Sequence, residues 1–323
     1  MAQLIKLMDF ISRYEMNTYR YPSQYIRLKK QHWNRLKNLW EQGLLEVEKL
    51  EEEETTKPEK RSLFRSFKGR LKKNQESAEE FESFTTQDFD ELQESDGDLP
   101  LEHSFSKIPK TEDELKQRFL DDLIDFQIRW ASSTIREKSY VDRPIYFDEE
   151  LKYFLQRFPD NYLVLYKPVF LVQRAPIELE VIMISPTDTW CITILEGKEN
   201  SVFYGSKDRF WAERYGEEEE RMGLSPMISL NRMEKIVRNI YQYHEVDLPI
   251  RKVVLNRTGY IDYPYAPVDT MLIDKRVYEE WFSSLRRLSS PLKSVQLKAA
   301  KVLLQHCQTT YVKRPEWDMN DVT

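Results

Sequence analysis

Glu180, Glu196 and Lys198 are the residues of this chain whose types and spacing could perform chemistry together. They fall within Ile177 to Lys198, IELEVIMISPTDTWCITILEGK, where a short polar turn joins two strand-like runs. Alternate side chains of an extended strand share a face, so Glu178 and Glu180 point one way, and Glu196 and Lys198 share a face with their positions about 7 Å apart. Two adjacent strands then aim an acid, a second acid and a lysine at one spot. Glu180 and Glu196 in that arrangement can hold a hard cation, Mg2+ or Mn2+. Such an ion activates a water and neutralises charge in the transition state while Lys198 positions or deprotonates that water, which is phosphodiester hydrolysis. The bland reading of the same residues is a solvated strand edge with a weak ion pair, and Gly197 between them is a bulge signal.

Periodicity identifies the elements that must position this motif. Residues 1–45 carry helical spacing interrupted at Tyr21-Pro22, with Trp33, Leu36 and Trp40 on one face, and read as a basic, aromatic helical arm. Residues 46–110 are a charged linker: a Glu run at 51–54, a basic patch, then an acidic tract from Glu76 to Glu102 without Lys or Arg. This composition buries too little apolar surface to offset chain entropy and is expected to be largely disordered. Residues 111–146 form a helical lead-in that opens on the capping-box sequence Thr111-Glu112-Asp113-Glu114. Residues 147–323 hold a helix at 147–158, strands near 162–166, 177–184, 189–195 and 202–204, a helix at 225–243, strands near 252–255 and 271–273, and two C-terminal helices. Helix, a meander of three or four strands, helix and strand make an α/β domain.

Composition narrows the setting. The net charge of −6 excludes a uniformly basic coat, so any anion-binding surface must be local. Cys191 and Cys307 lack CxxC spacing, which predicts neither a disulfide framework nor a zinc site and fits a reducing cytoplasm. No apolar run is long enough to span a bilayer, and Lys6 and Asp9 argue against a signal peptide. The histidines are scattered, and no phosphate-binding glycine loop or hydrolase elbow occurs.

From about Phe147 to Leu288 the chain resembles the nuclease-related domain, NERD, a branch of the restriction-endonuclease-like PD-(D/E)xK superfamily. The resemblance begins with the acidic helix Phe147-Asp148-Glu149-Glu150-Leu151 and the strand at Tyr162-Leu163-Val164-Leu165. It continues through Glu178-Leu179-Glu180 to Ser185-Pro186, then Leu195-Glu196-Gly197-Lys198, the Tyr204-Gly205 to Trp211 stretch, and Ser225-Pro226-Met227 with Asn231. The family comparison implies a restriction-endonuclease-like core, with an extra helical arm here. It places Glu180 and Glu196 at the metal positions, Lys198 at the catalytic lysine position, and Glu150 or Glu149 at the acid of the first helix. Glu stands at 180 where the family has Asp, and Ser225 where it has Asn.

Two functions follow as expectations. One is a metal-dependent nuclease or nucleic-acid-processing protein, its nucleic acid DNA in preference to RNA, with Arg20, Arg27, Lys29, Lys30, Arg35 and Lys37 of the arm holding phosphates. The other is a catalytically degenerate scaffold of the same fold that binds nucleic acid or protein, with residues 1–45 as a protein-docking arm. Residues 60–73 form a basic amphipathic stretch suited either to anionic membrane contact or to docking on the neighbouring acidic tract.

Overall fold

The computed structural model describes residues 1–45, 108–216 and 220–314. Among the described residues, Met1–Gly43 and the chain from Pro109 to Arg314 form one compact unit. The basic stretch 60–73, the acidic tract and most of the expected linker lie outside the described residues.

The fold is α/β, built on a six-stranded mixed sheet. Its strands in spatial order are β1 (Gln3–Leu7), β3 (Leu163–Tyr166), β6 (Val181–Ile184), β7 (Thr189–Ile194), β11 (Ile250–Leu255) and β13 (Thr270–Ile273). β3, β6 and β7 form an antiparallel meander; β11 then joins parallel to β7, and β13 parallel to β11. Helix α4 (Glu149–Gln156) precedes the meander and α5 (Pro226–Tyr243) makes the crossover from β7 to β11. A second sheet has the order β10 (Arg221–Leu224), β9 (Phe210–Arg214), β8 (Val202–Tyr204), β12 (Tyr260–Asp262). A short pair joins β2 (Glu137–Lys138) to β14 (Val312–Lys313).

The N-terminal segment corrects the sequence reading: residues 3–7 are a strand, not the start of a helical arm. Gln3, Leu4, Ile5, Lys6 and Leu7 are all fully buried, as in a strand covered on both faces. Lys6 hides this in the sequence, because a charge in an apolar run reads as a helix's polar face. Its ammonium instead donates inward, to the Phe10 carbonyl at 2.7 Å, Glu15 Oε1 at 2.6 Å and Thr309 Oγ1 at 3.1 Å. Gln127 of α3 (Glu112–Trp130) covers the edge by accepting from Leu4 N at 2.6 Å and donating to the Ala2 carbonyl at 2.9 Å.

Helices α1 (Arg13–Met16) and α2 (Tyr21–Glu41) follow β1. α2 is no separate arm, since Tyr25 packs on Phe126 and Trp130, Trp33 meets Phe119, and Trp40 Nε1 donates to the Pro109 carbonyl at 2.8 Å. The start of α3 is capped as its sequence predicts, with Thr111 Oγ1 accepting from Glu114 N at 3.2 Å. Helices α6 (Tyr278–Arg286) and α7 (Ser294–Gln305) close the unit.

The run expected as one strand over 177–184 is two. β5 (Ala175–Glu178) pairs with β4 (Val169–Val172) in a ribbon, and β6 begins only at Val181. Gln173 and Arg174 turn the ribbon with φ of 50° and 69°, the left-handed conformation that two-residue hairpin loops demand. Leu171 N donates to the His306 carbonyl at 2.9 Å and Gln308 N to the Val169 carbonyl at 2.7 Å, anchoring the ribbon on the end of α7.

Candidate acid and lysine site at the carboxyl edge of the sheet

β3, β7 and β11 end at one edge of the main sheet, and α4 and α5 begin there. Open α/β sheets place ligand sites at this edge, where strand ends and helix N-termini leave groups free to meet a ligand.

Glu180 lies at the root of the β4–β5 ribbon. The β3–β6 ladder pairs Tyr166 with Val181, and one step further Lys167 N donates to the Glu180 carbonyl at 2.8 Å. Leu179 N then donates to the Pro168 carbonyl at 2.9 Å, so the root is stitched on both sides of Glu180. The main chains of Lys167 and Glu180 are thereby joined, while the Lys167 ammonium turns to the Tyr166 ring and Asp148. The Glu180 carboxylate accepts from Ile194 N at 3.1 Å. Burial pushes its pKa up, opposed by hydrogen bonds from Ser229, Ile194 N and Thr193 and by the Lys167 charge.

Asp148 caps α4, its Oδ1 accepting from Glu150 N at 2.9 Å and Leu151 N at 3.0 Å. Its Oδ2 accepts from the Tyr166 hydroxyl at 2.8 Å and lies 3.7 Å from Lys167 Nζ. Glu150, in the first turn of α4, also has a raised pKa. Burial is the main cause, the Asp148 and Glu196 charges add to it, and Lys167 and the Tyr166 hydroxyl oppose it. Lys167 is therefore the cation that Asp148, Glu150 and Glu180 have in common. Glu149, the other acid considered for this helix, is exposed and pairs with Lys152 at 3.1 Å.

Glu196 and Lys198 lie beyond the end of β7, so strand alternation does not govern them. Glu196 accepts from Arg257 Nε at 2.8 Å and from the same guanidinium's terminal nitrogen. Arg257 itself lies over the Tyr153 ring at 4.2 Å. Lys198 turns toward the second sheet, with its ammonium 5.0 Å from the centre of the Tyr215 ring and its N–H donating to Glu213 Oε1 at 3.1 Å. Gly197 allows this turn: a Cβ there would stand 2.0 Å from Glu213 Oε1. The structure thus brings Glu196 within electrostatic reach of Glu150, and directs Lys198 to Tyr215 and Glu213.

A metal at Glu180 and Glu196 does not fit this arrangement. Glu196 is occupied by Arg257, Glu180 is turned to Ile194 N, and among the described residues no group of three or more His, Cys, Asp or Glu is placed to hold an ion.

Other motif residues have structural work. Asn231 Oδ1 accepts from Lys252 Nζ at 3.1 Å, and Pro226 opens α5 at its first turn. Gly205 lets Tyr263 approach, since a Cβ there would meet the Tyr263 side chain at 2.6 Å. Of the glutamates at 217–220, only Glu220 is among the described residues, and it pairs with Arg214. Of the basic residues expected to hold phosphates, Lys29 pairs with Asp160, and Lys37 with Glu112 at 3.2 Å and Glu41 at 3.8 Å. Arg20, Arg27, Lys30 and Arg35 are exposed. Two of the scattered histidines meet, the His244 and His306 rings lying 5.1 Å apart. Among the described residues no helix is long and apolar enough to cross a membrane.

Sequence reasoning missed Lys167. Its one signal was Tyr166-Lys167-Pro168 at a strand end, which becomes a site only once the ribbon returns the chain to Glu180.

No protein family matches the chain, and no solved structure does. A stretch of 41 residues is 51% identical to the RNA 2',3'-cyclic phosphodiesterase of Geobacillus stearothermophilus, covering 13% of this chain and 13% of that protein's length.

Proposed function

We propose that the chain is a NERD-like protein with a restriction-endonuclease-like core that hydrolyses phosphodiester bonds of nucleic acid. The observation that carries this reading is Lys167, 3.7 Å from Asp148 at the start of α4, whose charge acts on both Glu150 and Glu180 at the carboxyl edge of a helix, meander, helix, strand core. The short likeness to a phosphodiesterase supports the same bond class.

Burial raises the pKa of both carboxyl groups, and they differ in their smaller influences. Apart from burial, every influence on Glu180 favours its ionised form, whereas Glu150 also feels the Asp148 and Glu196 charges. Glu180 then takes the proton of the attacking water and Glu150 supplies one to the leaving oxygen. The water oxygen bonds to phosphorus as the P–O ester bond breaks. Lys167 offsets the charge gathering on the phosphoryl oxygens. No step is assigned to a metal ion. Arg20 at the start of α2 and the exposed Arg27, Lys30 and Arg35 along it offer contacts to flanking phosphates.

The test incubates the full chain with single- and double-stranded RNA and DNA, and with a nucleoside 2',3'-cyclic phosphate, each in Mg2+, Mn2+ or EDTA. Cleavage of any of these that Glu180→Gln abolishes supports the reading. No cleavage by the wild type overturns it.

The Glu196 pairing with Arg257 and the turn of Lys198 to Tyr215 favour a second reading, a non-cutting scaffold of the same fold. It predicts oligonucleotide or protein binding without turnover.

A further inference from the structure

We propose that the Lys167 ammonium is the phosphate-binding cation of this site. This deepens the phosphodiester reading and rests on it.

The backbone holds Lys167 in a conformation chosen for position rather than ease. Its φ is 47°, left-handed for a residue with a full side chain, and Pro168 follows, which further disfavours helical backbone in the residue before it. Such a conformation persists only where its surroundings enforce it. Here the enforcing contacts are the hydrogen bonds from Lys167 N to the Glu180 carbonyl and from Leu179 N to the Pro168 carbonyl. The side chain leaves the chain one residue past the end of β3 and sets its ammonium 4.8 Å from the Tyr166 ring centre.

The charges around it are arranged for a cation with one open side. Asp148 has both oxygens engaged, one by the α4 N–H groups and the other by Tyr166, and stands 3.7 Å from Nζ, longer than a hydrogen bond. Glu196 has Arg257. The Lys167 side chain is 37% exposed, and an ammonium carries three donors, so N–H groups remain for an incoming oxyanion. The start of α4 adds partial positive charge to the same edge.

The inference is tested by fluorescence anisotropy of the full chain with a fluorescein-labelled 12-nucleotide single-stranded RNA, and a DNA of the same sequence, in EDTA. Wild type, Lys167→Ala, Lys167→Asn, Lys167→Arg and Lys198→Ala are compared, with thermal melts of each. Asn tolerates the left-handed backbone, so Lys167→Asn removes the charge even if the Ala variant fails to fold. The expected result is binding in EDTA that weakens about tenfold or more in Lys167→Asn, is largely kept by Lys167→Arg, and is unchanged in Lys198→Ala. Binding that needs Mg2+ or Mn2+, full binding by Lys167→Asn, or the larger loss in Lys198→Ala overturns the assignment. If the wild type cleaves and Lys167→Asn binds and cleaves as well, only the lysine assignment falls. If the wild type neither binds nor cleaves, the phosphodiester reading falls and takes the assignment with it.

Discussion

Two regions of this molecule carry an acid and a lysine close together, and they are built in opposite ways. At the ribbon root, Glu180 and Lys167 are 13 residues apart and are joined by main-chain hydrogen bonds that extend the β3–β6 ladder. After β7, Glu196 and Lys198 are near neighbours in sequence, yet they lie past the last ladder pair and each finds a different partner. Sequence proximity places two residues near each other without fixing where their side chains go. Main-chain pairing fixes the backbone at the root. The comparison therefore points to the ribbon root as the working half of the edge and to the loop after β7 as its support.

The largest effect expected from breaking this contrast is on turnover. Glu180→Gln should lower cleavage by roughly a hundredfold or more, the usual contribution of a positioned acid or base. Initial rates on whichever substrate the wild type cuts provide the check. The same substitution should stabilise the fold at neutral pH. A carboxyl whose folded pKa is raised contributes stability below its unfolded pKa, and that contribution is lost as pH rises through the folded pKa. Glu180→Gln should consequently raise the melting midpoint near pH 7 and give no such gain near pH 4, as read by calorimetry at the two pH values.

The pH profile sharpens the assignment of roles. With Glu180 ionised as base and Glu150 protonated as acid, activity should fall at low pH and again at higher pH, both limbs lying above the ordinary glutamate range. Glu150→Gln should remove the high-pH limb. A profile still bell-shaped in that variant assigns the acid elsewhere.

A smaller effect belongs to the supporting loop. Arg257→Ala should slow cleavage only a few-fold and cost about 1 kcal/mol or less by chemical denaturation, because its pair with Glu196 is partly exposed. Smallest is the ribbon turn. Replacing Gln173 and Arg174 by Asn and Gly, which accept left-handed backbone, should stabilise by about 1 kcal/mol and leave turnover intact. Lost stability would show that the turn is not the one that sets the root.

Much of the frame was legible in the sequence because it rests on local signals. The Thr111 cap, the Ser225-Pro226 helix start, the 3.6-residue period of α5 and the apolar runs of β3, β7 and β11 each report their own element. What was not legible depends on partners distant in the chain. β1 was hidden by Lys6, whose buried charge is answered by Glu15 and Thr309. The ribbon was hidden because Gln173-Arg174 lacks the Asn or Gly that announces such a turn, so 177–184 read as one strand. With the ribbon unseen, Lys167 had no reason to stand beside Glu180. Lys198, at the family's spacing, took the role instead.

The most direct test sets the two acids against each other: cleavage rates of Glu180→Gln and Glu196→Gln, measured side by side on one labelled oligonucleotide with wild type as reference. If the ribbon root is the working site, Glu180→Gln is nearly inactive and Glu196→Gln keeps most of the wild-type rate. A nearly inactive Glu196→Gln beside an active Glu180→Gln would contradict it.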